Sequence, residues 1–166
     1  MIFITVTEIG ATPGILKREL GKMQKKAYTR IGRYWHKQMR PRHFTKAGAK
    51  DYAYEPRSGE RGSGKSFGRS YTARKLKEHG HTRPLVLTGA TELLSRMQDI
   101  RATSKGVKVV VHVGNVLRQP KGRAERVREL TMVTPEEQRQ LADIYDEEMQ
   151  LQIEALRAIK KRARYA

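Results

Sequence analysis

The sequence contains no cysteine among its 166 residues, so neither disulfide bridges nor thiolate metal sites can hold its fold. It also lacks any run of the roughly 18 apolar residues that a membrane-spanning helix requires. The opening segment MIFITVTE is too short, and too acidic at its end, for a signal peptide. These absences predict a protein that stays in the cytoplasm in which it is made and has no membrane partner.

Acidic residues are scarce relative to basic ones. The chain has 35 Lys and Arg against 17 Asp and Glu, which gives a net charge of +18 and a pI near 10.5. The excess is spread over residues 1–133, whereas residues 134–166 hold seven acidic and six basic groups. A charge of this size attracts nucleic acid or acidic protein surfaces. Ribosomal proteins, DNA-lining proteins and nucleases share this profile, so the charge indicates a class of partner and no activity.

One motif suggests a nucleotide-binding enzyme. Residues 59–66, GERGSGKS, match the P-loop pattern G-x-x-x-x-G-K-[ST]. A working P-loop follows a buried strand and opens a helix whose N-terminus faces the phosphates. Here the preceding DYAYEPRS is charged, the following FGRSYTARKLKEHG has no helical apolar repeat, and the apolar strand KVVVHVGN ends without the Asp that would bind Mg²⁺. We therefore predict a solvated basic loop that binds no nucleotide, and no cofactor.

Other catalytic arrangements are also missing. The five histidines show no ligand pair at helical spacing and have no cysteine partners, which argues against a metal site. A nuclease needs carboxylates that converge on Mg²⁺, yet the acidic residues concentrate in one segment, residues 136–148. Neither a G-x-S-x-G elbow nor a supported Ser/His/Asp set occurs. The sequence therefore predicts no enzymatic activity and no catalytic residue.

The N-terminal segment predicts a strand followed by a long helix. Residues 2–6 alternate with a period of two among β-favouring side chains, as in a strand. Thr12-Pro13 supplies an N-cap and a first-turn proline, and apolar residues recur at helical spacing through residues 13–39 until Pro41. Cationic side chains fall away from the apolar side of this helix. The candidate contacts of this helix to DNA or to a neighbouring subunit are Lys22, Lys26 and Arg30.

Residues 41–82 are predicted to form an extended basic arm. They are rich in Gly, Ser and Pro, carry ten basic groups and have almost no aliphatic residues, so they lack the means to build a core. We expect such a segment to be mobile in the isolated subunit and to become ordered on assembly. The arm's candidate contacts to DNA or to an acidic surface are Arg57, Arg61, Lys65 and Arg69.

Aromatic residues alternate with the basic groups of this arm. They could stack on exposed bases while Arg and Lys bind phosphates, or they could pack on an adjacent subunit, since Tyr and Arg are favoured in interface cores. Subunit packing is the favoured interpretation. The candidate subunit-packing residues are Tyr52, Tyr54, Phe67 and Tyr71.

The C-terminal half predicts three more strands and two helices. Leu85–Leu87 read as an apolar strand or extended segment that leads into a short helix capped by Thr88. The inward side chains of that helix are predicted to be Leu93, Leu94 and Met97. A hairpin is predicted to pair residues 101–103 with residues 107–113 through Ser104-Lys105-Gly106. A basic loop at residues 115–128 and a last strand at residues 129–133 complete this part.

The strongest local signal is Thr134-Pro135-Glu136-Glu137. It combines an N-cap, a proline at the first helical position and a capping-box glutamate three residues after the cap. It predicts a second long helix, acidic in its first half. The whole chain, residues 1–166, is thus predicted to be a single α+β domain. A mostly antiparallel sheet of about four strands would be flanked by two long helices, with the arm inserted between the first helix and the sheet.

Three segments follow one another along the chain in an order that occurs in a known protein family. They are YWHKQMRPRHFTKAGAKDYAYEPRSGE, YTARKLKEHGHTRPLVLTGATELLSRMQDI and ELTMVTPEEQRQLADIYDEEMQLQIEAL. In this order they resemble the virion-morphogenesis family of tailed phages, the neck or tail-completion proteins of the head-to-tail joint. RPLVLTG followed by a short leucine-containing helix is similar to the P-L-x-x-T-G-x-L element of that family. The resemblance covers residues 13–155.

The resemblance implies a structural protein of the virion rather than an enzyme. Copies would form a ring, six-fold or twelve-fold, that joins the capsid portal complex to the tail tube around the DNA channel. Its neighbours would be connector or head-closure proteins and tail-terminator or tail-tube proteins, with genomic DNA bound non-specifically. The acidic helix of residues 135–148 and the basic helix of residues 13–40 could be the complementary faces of adjacent subunits. The alternative is a sequence-independent DNA- or RNA-binding module.

Overall fold

The computed structural model describes residues 13–55, 67–86, 89–113 and 128–163. Its elements in chain order are helix α1 (Pro13–Tyr34), a π-helical turn (Trp35–Met39), a 3₁₀ segment (Arg40–Phe44), α2 (Lys46–Asp51), a 3₁₀ turn (Phe67–Arg69), α3 (Tyr71–His79), α4 (Ala90–Leu94), β1 (Gln98–Thr103), β2 (Gly106–Val111) and α5 (Pro135–Ala163). Residues 128–131 add a helical turn. The predicted strand at residues 2–6 and nearly all of the predicted basic loop at residues 115–128 lie outside the described residues.

The predicted four-stranded sheet is wrong. The sheet of the described residues has two antiparallel strands, with Gln98 opposite Val111 and Thr103 opposite Gly106, which confirms the hairpin alone. Leu85 lies in a turn with φ of 52°, and residues 128–131 are helical. Both segments are apolar because they are buried, and a short buried run does not distinguish a strand from a turn or a helix. The fold is mainly helical, and it is α+β only in a loose sense.

The two misassigned segments form the centre of the apolar core. Leu85, Val86 and Leu130 pack around Phe44, with Tyr54 and Val111 at the edge of the cluster. Phe44 ends the 3₁₀ segment that follows α1, so the first long helical run delivers the central aromatic ring. The core therefore joins the chain before α2, the turn before α4 and the turn before α5.

The helix predicted over residues 13–39 is confirmed in extent, although its end differs. The helical path widens after Tyr34 into a π turn and then continues through Pro41 as a tighter 3₁₀ segment to Phe44. Pro41 is tolerated because it lies in the first turn of the 3₁₀ segment. The hydrogen bonds of that segment do not use the backbone N–H groups of its first turn, so the N–H that proline lacks is not needed there. Thr45 then begins α2, since its Oγ1 accepts a hydrogen bond of 2.9 Å from the Gly48 N–H.

Helices α1 and α5 pack as an antiparallel pair. Tyr28 of α1 lies against Tyr145 of α5, with ring centroids 5.1 Å apart. Arg42, further along the chain than Tyr28, contacts Glu137 at the start of α5. Later residues of the α1 segment therefore meet earlier residues of α5, as in an antiparallel pair. Met23 and Ala27 are buried on α1. The predicted capping box is confirmed: Thr134 Oγ1 accepts from the Glu137 N–H at 3.2 Å, and Glu137 Oε2 accepts from the Thr134 N–H at 3.1 Å.

The hairpin packs on a second side of α1, where glycine allows close approach. An added Cβ at Gly32 would lie 2.9 Å from Val107 Cγ2 and 3.0 Å from Ile100 Cγ2. The branched side chains of the hairpin thus rest directly on the helix backbone at this position. Gly21, about three turns earlier, lies near Ser104 of the hairpin turn.

Replacing Gly32 by alanine is expected to lower the free energy of unfolding by about 1–2 kcal/mol, because the overpacking of stiff branched side chains exceeds the helix propensity that alanine adds. Gly14→Ala in the same helix is the matched control, since no atom of the described residues lies within 4 Å of its added Cβ. Urea unfolding of both variants measures the difference. A Gly32→Ala variant as stable as Gly14→Ala would show that the hairpin does not rest on α1 as described.

The predicted extended arm at residues 41–82 is wrong for most of the residues that the structure describes. Residues 40–51 are helical almost throughout, and residues 67–79 form a 3₁₀ turn followed by α3. The Ser70 hydroxyl caps α3 by accepting from the Ala73 N–H, and Gly80 ends it with φ of 69°. Caps and aromatic contacts take the place of the aliphatic core that this segment lacks. Residues 56–66, at its centre, lie outside the described residues.

A buried polar cluster fixes α2 against the start of α5. His43 stacks on Tyr52 at 3.9 Å between ring centroids, with the rings within 7° of parallel. The Tyr52 hydroxyl donates a hydrogen bond of 2.5 Å to Glu137, and Arg42 lies 3.4 Å from the same carboxylate oxygen. Burial and the contact with Glu137 raise the pKa of Tyr52, so the phenol stays protonated and donates.

A second polar contact holds α4. The carbonyl of Ser95 accepts from His36 Nε2 at 2.9 Å, and its hydroxyl accepts from Arg40 Nη1 at 2.5 Å. The inner side of α4 is therefore polar, and the predicted inward side of this helix is wrong: Leu93 is 62% and Met97 58% exposed. The leucines were predicted to face inward because they are apolar. No sequence pattern reveals that Ser95 is buried and accepts a hydrogen bond from an arginine far away in the sequence.

Candidate polyanion-binding face

Between Arg18 and Arg33, one side of α1 carries polar and mostly basic side chains and faces solvent. At 100° per residue, α5 covers the side of Met23 and Ala27, and the hairpin covers the side of Gly21 and Gly32. The third side is open over about 22 Å of helix. Its cations, here called the cationic stripe, are Arg18, Lys22, Lys25, Lys26 and Arg33, and all five are exposed.

Local carboxylates compensate only part of this stripe. Glu19 accepts a hydrogen bond of 2.7 Å from Lys22 and lies 3.7 Å from Arg18. The hydrogen bond from Lys22 holds the pKa of Glu19 below its ordinary value, so Glu19 is charged near neutral pH. Lys25 and Arg33 form no ion pair with any of the residues that the structure describes. Exposed pairs of this kind are weak, so the stripe remains strongly positive.

An open groove of about 480 Å³ lies along one edge of the stripe. It is lined by Lys26, Thr29, Arg30, Arg33 and Glu148. The first four residues follow the i, i+3, i+4, i+7 spacing that puts side chains on one helix face. The Thr29 hydroxyl donates to the Lys25 carbonyl at 2.8 Å, so its proton is already used within the helix. The donors that remain for an anion in the groove are the charged groups of Lys26, Arg30 and Arg33.

Arg30 is held by α5. Its Nη1 lies 3.2 Å from Glu148 Oε2, and its Nη2 lies 3.1 Å from Glu147 Oε2. The acidic and basic helices, which were predicted to be complementary faces of adjacent subunits, thus pair within one subunit at this point. Lys26 also reaches α5, where it donates to Gln152 Oε1 at 3.1 Å.

The predicted contact residues are distributed unevenly. Lys22 and Lys26 lie on the cationic stripe, and Arg30 borders it, so the structure brings these three together on α1. Arg69 is exposed in the 3₁₀ turn before α3. The other arm cations of the prediction lie outside the described residues: Arg57, Arg61 and Lys65.

The aromatic residues predicted to pack on adjacent subunits have a different arrangement. Tyr52 is buried within its own subunit, stacked on His43, so its ring is not available to a neighbour. Tyr54 is half-buried and donates to the Glu129 carbonyl at 2.9 Å. Phe67 and Tyr71 are half-buried as well, and Lys75 Nζ lies 5.8 Å from the centre of the Tyr71 ring. Composition could not show that the aromatics of this segment fill the subunit's own interior.

The GERGSGKS motif at residues 59–66 lies outside the described residues, but the chain that follows it is described. Residues 67–69 form a single 3₁₀ turn, and α3 begins only at Tyr71, capped by Ser70. A P-loop would continue directly into a helix from its final Ser or Thr. Within the described ranges, no group of three or more His, Asp or Glu side chains is placed to hold a metal ion, and no helix is long and apolar enough to cross a membrane.

Two charged residues of the groove, Arg33 and Glu148, were missing from the predicted contacts. Arg33 was recognisable, because it follows Lys26 and Arg30 at helical spacing on the cationic side. Glu148 was not, because its partner Arg30 lies 118 positions away in the sequence. Comparison of the chain with protein-family models, with curated protein sequences and with solved structures finds no significant match.

Proposed function

We propose that this protein is a structural, non-enzymatic subunit of the head-to-tail neck of a tailed phage, where copies form a ring around the DNA channel. The cationic stripe of α1 carries this proposal, because it gives the subunit an exposed surface for a polyanion. In such a ring the stripe contacts the DNA backbone as the genome passes. The order of the three sequence segments that resemble neck proteins supports the same role.

The chemistry of the stripe suits a sequence-independent contact. Lys and Arg bind phosphate oxygens, which are the same at every step of a duplex, and such contacts position a protein without reading bases. About 22 Å of duplex, the length of the stripe, presents on the order of a dozen phosphate charges. Each of the five cations can therefore find a phosphate at any position of the duplex along the stripe. A channel lining needs this kind of contact, since it must tolerate every sequence that moves past it.

Ring formation would use other surfaces of the subunit. Large apolar side chains are exposed on several elements, including Leu93 and Met97 near α4 and Leu151 on α5. Contacts between unlike surfaces of identical copies close into rings when the rotation allows. In the particle, the ring would also meet connector or head-closure proteins on one side and tail-terminator or tail-tube proteins on the other.

The first test is the assembly state. Light scattering and electron microscopy of the purified protein, alone and mixed with duplex DNA, are expected to show closed rings. A protein that stays monomeric and binds RNA as tightly as DNA would contradict the neck role and favour the alternative, a sequence-independent nucleic-acid-binding module.

The second test is binding by the stripe itself. Lys25→Gln with Arg33→Gln is expected to weaken binding to a short DNA duplex about tenfold and to reduce the salt dependence by nearly two phosphate contacts. Lys46→Gln with Lys50→Gln makes the same charge change on α2, where both side chains are exposed, and is expected to cost less than threefold. Titrations at several salt concentrations with two unrelated duplexes measure both effects. Equal losses in the two pairs, or a tenfold preference for one duplex, would contradict backbone binding by the stripe.

A further inference from the structure

The two terminal nitrogens of Arg30 are both occupied by carboxylates of α5. Nη1 meets Glu148 at 3.2 Å and Nη2 meets Glu147 at 3.1 Å. A guanidinium normally uses this pair of nitrogens to grip a phosphate group in two parallel hydrogen bonds. As the subunit is folded, Arg30 therefore borders the groove but cannot give both of these donors to a ligand.

The neighbouring cation is tied to the same network. Lys26 donates to Gln152 Oε1 at 3.1 Å, and Gln152 Nε2 donates to Glu148 Oε1 at 2.7 Å. Glu148 is thus linked to both cations of α1 that contact α5, directly to Arg30 and through Gln152 to Lys26. It also lines the groove itself, so an anion that enters meets a negative charge beside the three positive ones.

We propose that Glu147 and Glu148 compete, within the subunit, with nucleic-acid phosphate for the guanidinium of Arg30, and thereby weaken the binding of nucleic acid in the groove. This inference rests on the proposed function of the stripe as a DNA-backbone contact. Full engagement of the groove requires a phosphodiester to displace the carboxylates from Arg30. As long as the two carboxylates hold Arg30, DNA slides over Lys25 and Arg33 without being bound at Arg30, as a channel lining requires.

The two carboxylates differ in how readily they yield. The Glu147 side chain is 63% exposed, so water and salt screen its contact with Arg30. The Glu148 side chain is only 17% exposed, and Gln152 holds it in place. Glu147 is therefore the first to be displaced by phosphate, whereas Glu148 keeps Arg30 anchored to α5.

The test uses Glu147→Gln with Glu148→Gln and the anisotropy of a short labelled DNA duplex at fixed low salt. Removing both charges is expected to raise affinity about fivefold, the effect of one charge contact, and to add about one phosphate contact to the salt dependence. Asp143→Asn with Glu154→Gln is the matched control, because it makes the same charge change at exposed positions of α5 that form no ion pair with any described residue. Its gain is expected to stay below twofold.

Arg30→Gln makes the test decisive. In the wild-type background it is expected to change affinity less than twofold, and in the doubly substituted protein it is expected to cancel the gain. A gain that survives Arg30→Gln, or that the control pair reproduces, overturns the inference. A loss of more than threefold for Arg30→Gln alone also overturns it, and that measurement does not depend on the folding of the double variant.

The same titrations separate this inference from the function on which it rests. If the wild-type protein binds DNA and the double variant binds no better, only the inference fails. If neither protein binds DNA, both fail. If only the double variant binds, competition by the carboxylates stands and the proposed role of the native stripe fails.

Discussion

Replacing Glu137 by alanine is expected to lower the free energy of unfolding by about 3 kcal/mol. The side chain is 1% exposed and performs three tasks at once. It completes the capping box of α5 with Thr134, it accepts the Tyr52 hydroxyl at 2.5 Å, and it lies 3.4 Å from Arg42. Loss of a cap typically costs about 1 kcal/mol, and a buried hydroxyl left without its acceptor costs about 1–3 kcal/mol.

Two further variants show whether this loss comes from burial and hydrogen bonding. Glu136→Ala removes a carboxylate from the same first turn of α5, but its side chain is exposed, so only the small interaction with the helix dipole is lost, about 0.5 kcal/mol. Glu137→Gln keeps an oxygen acceptor and is expected to lie between the two. Urea unfolding at neutral pH measures all three. Equal costs for Glu136→Ala and Glu137→Ala would show that Glu137 does not link α2 to α5.

Local signals of the sequence were sufficient for half of this cluster. Thr134 and Glu137 stand three residues apart, so the capping box could be predicted before the fold was known, and the structure confirms it. Tyr52 and Arg42 lie 85 and 95 positions from Glu137. Their contacts depend on how α2 packs against α5, and no local pattern encodes that. For the same reason Tyr52 was predicted to face a neighbouring subunit.

The strands failed for a related reason. The hairpin of β1 and β2 has a turn with its own signal, Ser104-Lys105-Gly106, and valines that alternate along β2, so its existence and position were predictable. Leu85 and Leu130 have neither. Their surroundings are apolar because four separate segments meet at Phe44, and burial of this kind favours apolar residues in any backbone conformation.

The sequence was sufficient to predict which cations form the candidate site, but not which of them are paired with carboxylates. Helical spacing alone placed Lys22, Lys26 and Arg30 on one side of α1. It could not show that Arg30 is neutralised by Glu147 and Glu148, because these carboxylates come from the other end of the chain. The distinction matters for function, since only the structure separates cations that are free to meet phosphate from one that is already paired.

The second large effect concerns His43, which is completely buried and neutral in the folded protein. Its Nδ1 lies 3.0 Å from the Glu129 carbonyl oxygen, which can only accept, and 2.5 Å from the Tyr54 hydroxyl, whose own proton is donated to that carbonyl, so Nδ1 carries the proton. Among the described residues, Nε2 has no hydrogen-bond partner. A proton added there would place a charge in the core without an acceptor. Burial accordingly lowers the pKa of His43 from its ordinary value of 6.5 to about 4, although the hydrogen bond to Glu129 opposes the shift.

The protein is therefore expected to lose about 3 kcal/mol of unfolding free energy through His43 as the pH falls from 6.5 to 4. In that window the unfolded chain binds a proton at His43 and the folded chain does not, so acid favours unfolding. Above pH 6.5 both states are neutral at this residue, and below pH 4 both are charged, so the contribution is constant outside the window. His36, whose pKa burial also lowers, acts in the same direction and is present in every variant compared.

His43→Phe isolates this contribution, because phenylalanine keeps a flat ring beside Tyr52 and cannot titrate, while Tyr54 still donates to the Glu129 carbonyl. Urea unfolding at pH 7.5 and at pH 4 should show a smaller loss of stability in His43→Phe than in the wild-type protein, by about 3 kcal/mol. The control is His112→Phe, an exposed position beyond β2, which should retain the wild-type pH dependence. Because only the change with pH is compared, any difference in stability at pH 7.5 cancels. If His43→Phe and the wild-type protein lose the same amount, His43 does not stay neutral in the folded core, and its unpartnered Nε2 must find an acceptor on protonation.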